Sequence, residues 1–86
     1  MKIIKFSKPN CVPCQTVEAL LKANGVKYEE YSIFKEPAVI EQYGLTGVPV
    51  TILVDDQEKE LKRVVGNNPP ALHQLIDIYK RENDVG

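Results

Sequence analysis

Two cysteines, Cys11 and Cys14, stand three residues apart in the stretch SKPNCVPCQ, and the chain has no other cysteine. Pairs at this spacing serve as a structural disulfide, as half of a metal site or as a dithiol that exchanges electrons. A disulfide that closes so short a loop stabilises a fold only weakly. A structural zinc site takes four ligands, and the chain adds one histidine, His73. A redox dithiol is therefore favoured, and a zinc-binding or interaction module is the alternative from another class.

The predicted position of the pair in a helix suits redox chemistry. Residues i and i+3 of a helix lie on one face and about 4.5 Å apart along its axis, which fits the Cα spacing of a disulfide. We expect the helix to begin at about Cys11, where unpaired N–H groups and the helix dipole favour a thiolate. Together with Lys8, they would lower the pKa of the Cys11 thiol from about 8.5 into the roughly 3.5–7.5 range of reactive cysteines. Cys14 should be less exposed, so we expect Cys11 to attack and Cys14 to resolve.

The composition indicates one small globular domain. The chain has 86 residues, of which 43% are hydrophobic and 27% charged, and its net charge is −1. It has no block of lysine and arginine typical of nucleic-acid or membrane surfaces, and no apolar stretch approaches the roughly 20 residues of a membrane span. The N-terminal residues lack the features of a signal peptide. We expect a monomeric cytoplasmic protein that binds neither nucleic acid nor membrane.

Hydrophobic periodicity and turn residues predict the order β-α-β-α-β-β-α. The predicted strands span 2–6, 27–33, 49–54 and 59–65, and the predicted helices begin at about Cys11, Pro37 and Pro69. The first two strands should be parallel, and the last two should form a hairpin. We expect an α/β fold with a four-stranded mixed sheet and three helices, as a single domain over 1–82 with a frayed tail over 83–86. The first helix then begins at the carboxyl end of a strand, where α/β sites usually lie.

Beyond the cysteine pair, the chain resembles the thioredoxin superfamily over nearly its whole length. The opening FSKPNCVPC is similar to glutaredoxins and to the glutaredoxin-like hydrogen donors of ribonucleotide reductase, the NrdH redoxins. The segments YGLTGVPV and RVVGNNPPALHQLI resemble the cis-proline segment of thioredoxins and their last strand and helix. The resemblance implies the thioredoxin fold and a small thiol–disulfide oxidoreductase that reduces protein disulfides.

The resemblance also assigns roles to residues. Cys11 matches the nucleophile, Cys14 the resolving thiol and Pro49 the cis-proline. Since Pro49 has no N–H, the peptide of Val48 could pair with the backbone of a substrate. A shallow apolar contact surface would be framed by four residues: Val12, Pro13, Val48 and Gly66. No metal or organic cofactor is implied, because the Cys11–Cys14 dithiol is itself the reagent.

Two departures from thioredoxins lie near the cysteines. Asn10 stands where thioredoxins usually carry a tryptophan. Lys5 stands where they carry a buried aspartate that is thought to help proton transfer to the resolving thiol. We expect Lys5 to extend its ammonium from the strand to water, with a charge-stabilising role near Cys14 as the alternative.

A third departure bears on the electron donor. Glutaredoxins hold glutathione partly through a tyrosine inside CxxC and a Gly-Gly…Asp segment, where this chain has Pro13 and VGNNPP. Lys8 is the one matching contact. We therefore expect electrons from a thioredoxin-reductase-type flavoenzyme, and a glutathione-dependent glutaredoxin is the alternative. The implied substrates are disulfide-containing proteins, and ribonucleotide reductase is a candidate by resemblance alone.

Overall fold

The computed structural model of the chain describes residues 1–83, which form four strands and three helices in the predicted order. The elements are β1 (Lys2–Ser7), α1 (Val12–Ala23), β2 (Tyr28–Ser32), α2 (Pro37–Tyr43), β3 (Val50–Val54), β4 (Glu60–Val65) and α3 (Pro69–Asn83). Apart from the backbone of Asn83, which ends α3, the tail predicted for 83–86 lies outside the described residues.

The strands form one mixed sheet in the order β2-β1-β3-β4. β1 and β2 are parallel, whereas β3 is antiparallel to both β1 and β4, which confirms the predicted parallel pair and hairpin. The partly charged β4 lies at an edge of the sheet, which suits its composition. The register aligns Ser7 with Ser32 and Val50 with Val65 at the end where β1 finishes. We call this end of the sheet the carboxyl end of β1.

Alternation along the strands divides the apolar side chains into two cores, one on each face of the sheet. One core joins the sheet to α1 and α3 and contains Ile3, Val17, Leu21, Val26, Leu53, Val64, Leu72, Leu75 and Ile76. The other contains Ile4, Phe6, Val50, Ile52 and Val54, with Val39 and Tyr43 of α2 packed against it. We call these the α1–α3 face and the α2 face. Helices therefore cover both faces, and the start of α1 is held against the sheet at the carboxyl end of β1.

Local sequence signals account for the ends of the helices. Pro37 opens α2, and Gly44 ends it in the left-handed conformation, with φ 62°. The Asn68 side-chain oxygen accepts a hydrogen bond from the Ala71 N–H at 3.3 Å, so Asn68 caps α3. None of the helices within residues 1–83 is long and apolar enough to cross a membrane.

Arg63 connects the end of α2 to β4. Its guanidinium donates to the Tyr43 carbonyl oxygen at 2.6 Å and to the Glu60 carboxylate at 2.7 Å. Tyr43 is the last residue of α2, where unpaired carbonyls attract cations. The contact therefore anchors the segment that leads to Pro49.

We expect Arg63→Met to lower the free energy of unfolding by about 1–2 kcal/mol, because it removes a charge-assisted hydrogen bond to a part-buried carbonyl. Urea unfolding monitored by circular dichroism measures this loss. Lys62→Met is the matched control on the same strand and should change stability by less than about 0.5 kcal/mol. Equal losses in the two variants would show that the contact between Arg63 and Tyr43 adds no stability.

Candidate active site

The loop between β1 and α1 delivers Cys11 to the start of the helix. Asn10 adopts a left-handed conformation with φ 58°, which asparagine tolerates better than most residues. Cys11 follows in an extended conformation as the N-cap of α1, and Pro13 lies in the first turn, where its missing N–H has no cost. The predicted position of Cys11 at the start of a helix is therefore confirmed.

Cys11 and Cys14 form a disulfide whose Cα atoms are 5.2 Å apart, within the usual range for such bonds. The Sγ atom of Cys11 also accepts a hydrogen bond from the Cys14 backbone N–H at 3.2 Å. The sulfur thus takes the place of the side-chain oxygen that usually caps a helix. The same N–H would stabilise a thiolate on Cys11 after reduction.

The two cysteines differ less in exposure than we expected. Cys11 is 5% exposed and Cys14 is 3% exposed, so both are buried. The reason is the cap, which turns the Cys11 sulfur toward the helix and away from water. Position in the helix, rather than exposure, distinguishes them: only Cys11 lies at the positive end of the dipole and receives the N–H of the first turn.

Pro49 and Gly66 lie together at the carboxyl end of β1. The Val48–Pro49 peptide bond is cis, which confirms the sequence prediction. The Gly66 N–H donates to the Pro49 carbonyl oxygen at 2.8 Å and so fixes the end of β4 to the start of β3. Gly66 has φ 79°, a conformation that favours glycine. Pro49 is buried, and Val48 beside it is half-buried.

Exposed apolar side chains occur at the same end of the sheet. Val12 is 70% exposed and Val65 is 63% exposed, while Pro13 is exposed and Val48 half-buried. We call these four residues the apolar rim. Sequence reasoning named every member except Val65. Period-two alternation would have identified it, since the buried Val64 requires the next side chain of β4 to point outward.

The two lysines nearest the cysteines in sequence have different surroundings. Lys8 is exposed in the loop before Cys11 and makes no ion pair within residues 1–83. Lys5 is only 1% exposed, and its ammonium donates to the Glu30 carboxylate on β2. The expectation that Lys5 extends to water is therefore wrong. Its ammonium is held inside the protein because an acidic partner stands beside it in the register of β1 and β2.

A metal site was the other use considered for the cysteine pair. Across the described part of the chain, the structure contains no group of three or more histidine, cysteine, aspartate or glutamate side chains placed to hold a metal ion. His73 is exposed on α3.

Comparison with known proteins agrees with this geometry. The family model for glutaredoxin matches residues 3–72. The SPbeta prophage-derived thioredoxin-like protein YosR of Bacillus subtilis is 41% identical over 76 residues, which cover 88% of this chain and 95% of that protein. The match therefore includes the cysteine pair, the proline segment and most of α3.

Solved structures show the same fold. The crystal structure of the thioredoxin-like protein BC3987 superimposes with a TM-score of 0.68 and 33% identity, over 86% of this chain and 99% of that one. Thioredoxin 1 from Thermosipho africanus gives a TM-score of 0.74 at 24% identity, over 98% of this chain and 99% of its own. With its Cys11–Cys14 disulfide at the start of α1, the chain belongs to the glutaredoxin family of thioredoxin-fold thiol–disulfide oxidoreductases.

Proposed function

We propose that this protein is a reductase of disulfides in other proteins, with Cys11 as the attacking thiol and Cys14 as the resolving thiol. The observation that carries the proposal is the cap of α1. One sulfur lies at the helix end, accepts the Cys14 N–H and is already bonded to the second sulfur. Such a site favours a thiolate on Cys11 and holds Cys14 within bonding distance of it.

The reaction is two successive exchanges. The Cys11 thiolate bonds to one sulfur of the target disulfide, and the other target sulfur leaves with the electron pair. The Cys14 thiol then loses its proton and bonds to Cys11, and the first target sulfur leaves as a thiolate that is protonated. The target gains two electrons and two protons, and the protein becomes the disulfide form seen in the structure.

The apolar rim supports a protein as substrate. Val12 and Val65 present exposed branched side chains at the end of the sheet where the cysteines lie. The backbone of Val48 adjoins Pro49 and is only half-buried, so an extended substrate segment could pair with it as an added strand. Lys8 adds positive potential from the loop before Cys11. Backbone pairing and apolar contact suit varied protein sequences, and ribonucleotide reductase is one candidate.

We propose a thioredoxin-reductase-type flavoenzyme as the electron donor, in the cytoplasm. Glutathione is a charged tripeptide and requires polar groups in fixed positions. At the segment before α3, the Asn68 side-chain oxygen already caps the helix by accepting the Ala71 N–H. Pro13 offers no side-chain hydrogen bond inside CxxC. Glutathione remains the second candidate, because the family model that matches is that of glutaredoxin.

The donor is tested by coupling the oxidised protein to NADPH consumption. We expect turnover through thioredoxin reductase to exceed turnover through glutathione and glutathione reductase at least about tenfold, a difference of about 1.4 kcal/mol in activation free energy. Both assays should use the same protein concentration, with Cys11→Ser as the background control. Faster turnover through glutathione would assign the chain to the glutathione-dependent glutaredoxins.

A further inference from the structure

Lys5 is the only charged residue among the described side chains that is fully buried, with 1% exposure. Burying an ammonium is costly unless it is paired and hydrogen-bonded. Among the described residues its one partner is Glu30 of β2, whose side chain is 44% exposed. The pair therefore connects an interior positive charge to a carboxylate that water can reach.

The sheet places Lys5 on the α1–α3 face, beneath the turn of α1 that begins at Cys14. Ile3, two residues earlier in β1, packs in one core with Val17 and Leu21 of α1. Two strand residues span about 6.6 Å, as much as four to five helical residues. Because α1 runs antiparallel to β1, Lys5 lies about 6.6 Å closer than Ile3 to the start of the helix.

Electrostatics agree with this placement. The pKa of Glu18, one helical turn after Cys14, is lowered first by its hydrogen bond with Lys22 and by the charge of Lys22, and then by the charge of Lys5. The charge of Lys5 therefore reaches the turn of α1 that follows Cys14.

The interior at this point also has unused hydrogen-bonding capacity. An ammonium has three donors, and Lys5 uses one of them, for Glu30, among the described residues. Thr51 stands opposite Lys5 on β3 and is 0% exposed, and its Oγ1 atom has no hydrogen-bond partner within residues 1–83. Buried polar groups are usually hydrogen-bonded, so the free hydroxyl of Thr51 is an exception. The structure describes the disulfide state, in which Cys14 carries neither a proton nor a charge.

We propose that the Lys5–Glu30 pair is a positioning element for the resolving step. The buried ammonium of Lys5 stabilises the thiolate of Cys14, and the Glu30 carboxylate transfers the proton of the Cys14 thiol to water. The inference rests on the proposed function. In the mixed disulfide, Cys14 is a buried thiol that must become a thiolate before it can attack. The proton leaves through Glu30, the new bond joins Cys14 to Cys11, and the target sulfur takes the electron pair. Thr51, which is opposite Lys5 in the register, is the second polar group on this part of the face.

Other charged or titratable groups adjoin this region and must be held constant. On α1 they are Glu18 and its partner Lys22. On the sheet, Tyr28 packs against the same core, and burial raises its pKa. The fully buried residues that α3 contributes to that core are apolar, and its one titratable side chain packed against the core is the phenol of Tyr79.

The test measures the titration of Cys14 directly. In a Cys11→Ser background Cys14 is the only thiol, and serine can still cap α1. The ultraviolet absorbance of the thiolate, measured as a function of pH, gives the midpoint of the Cys14 titration. We expect Lys5→Met to raise the midpoint by about one pH unit or more, a tenfold loss of thiolate. Lys2→Met is the matched control, since it removes another β1 lysine paired with a β2 glutamate, here Glu29; its midpoint should stay within about 0.3 units.

Glu30→Gln is expected to shift the midpoint of the Cys14 titration in the opposite direction. It removes a negative charge and leaves the ammonium, so the Cys14 midpoint should fall; a merely structural role would not shift the two variants in opposite directions. An unchanged midpoint in folded Lys5→Met, or a rise or no change in Glu30→Gln, would overturn the inference. Should Lys5→Met fail to fold, the direction in Glu30→Gln decides alone. Because the titration involves no substrate, an unchanged Cys14 midpoint would not contradict the proposed reductase function. Inactivity toward protein disulfides would contradict that function without changing the titration result.

Discussion

Cys11→Ser is expected to lose disulfide reduction by at least about a thousandfold, since it removes the proposed attacking nucleophile. The remaining thiol, Cys14, is 3% exposed and lies one turn inside α1, away from the strongest part of the helix dipole. Cys14→Ser should behave differently. It should react once with each target molecule and then stop, because the mixed disulfide on Cys11 cannot be resolved.

Insulin disulfide reduction, followed by turbidity and by thiol release, separates these outcomes. Cys14→Ser should give a burst of about one equivalent and no further turnover, whereas Cys11→Ser should give no burst. Circular dichroism of the reduced proteins serves as the control for folding. A burst in Cys11→Ser, with none in Cys14→Ser, would reverse the roles of the two thiols.

Phe6→Ala is expected to be the most destabilising of the single changes considered, with a loss of about 3–5 kcal/mol. Phe6 is 1% exposed, and its ring centroid lies 5.9 Å from that of Tyr31 and 5.4 Å from that of Tyr43. It joins β1, β2 and α2 on the α2 face and stands opposite Val50 in the register. A small domain has a total stability of only about 5–15 kcal/mol, so the variant should be partly unfolded at modest urea concentrations.

Urea unfolding of the oxidised proteins measures this loss. Phe6→Leu is the matched control, because it retains most of the apolar volume, and it should cost about 1–2 kcal/mol. If Phe6→Ala cost less than about 1 kcal/mol, the two aromatic contacts would not hold this face of the sheet together.

The sequence was sufficient for the order and type of the elements because local signals agree with the tertiary fold. Turn residues such as Gly44 and the cap at Asn68 mark helix boundaries where the structure has them. The position of Cys11 at a helix start followed from the change after β1 to a helical period, which sets Cys14, Val17 and Leu21 on one face. The contact between Gly66 and Pro49 was not derivable, since it depends on how β4 is aligned with β3.

Charge pairing between residues distant in the chain was the main feature that could not be predicted from the sequence. A lysine in a strand ordinarily extends to water, so the burial of Lys5 could not be inferred from its neighbours in the chain. It depends on the parallel register that sets Lys5 beside Glu30, residues 25 positions apart. The near-equal burial of the two cysteines was missed for a similar reason, because capping by a sulfur atom depends on side-chain direction.

Trapping of a mixed disulfide tests the central claim most directly. Reduced Cys14→Ser is mixed with a disulfide-bonded peptide pair, quenched with acid and alkylated, and the adduct is located by mass spectrometry. We predict that one peptide half is bound to Cys11, and that Cys11→Ser treated in the same way yields no adduct on Cys14. Faster capture by Cys14 in Cys11→Ser, or capture by neither variant, would contradict a reductase in which the capping sulfur of α1 is the nucleophile.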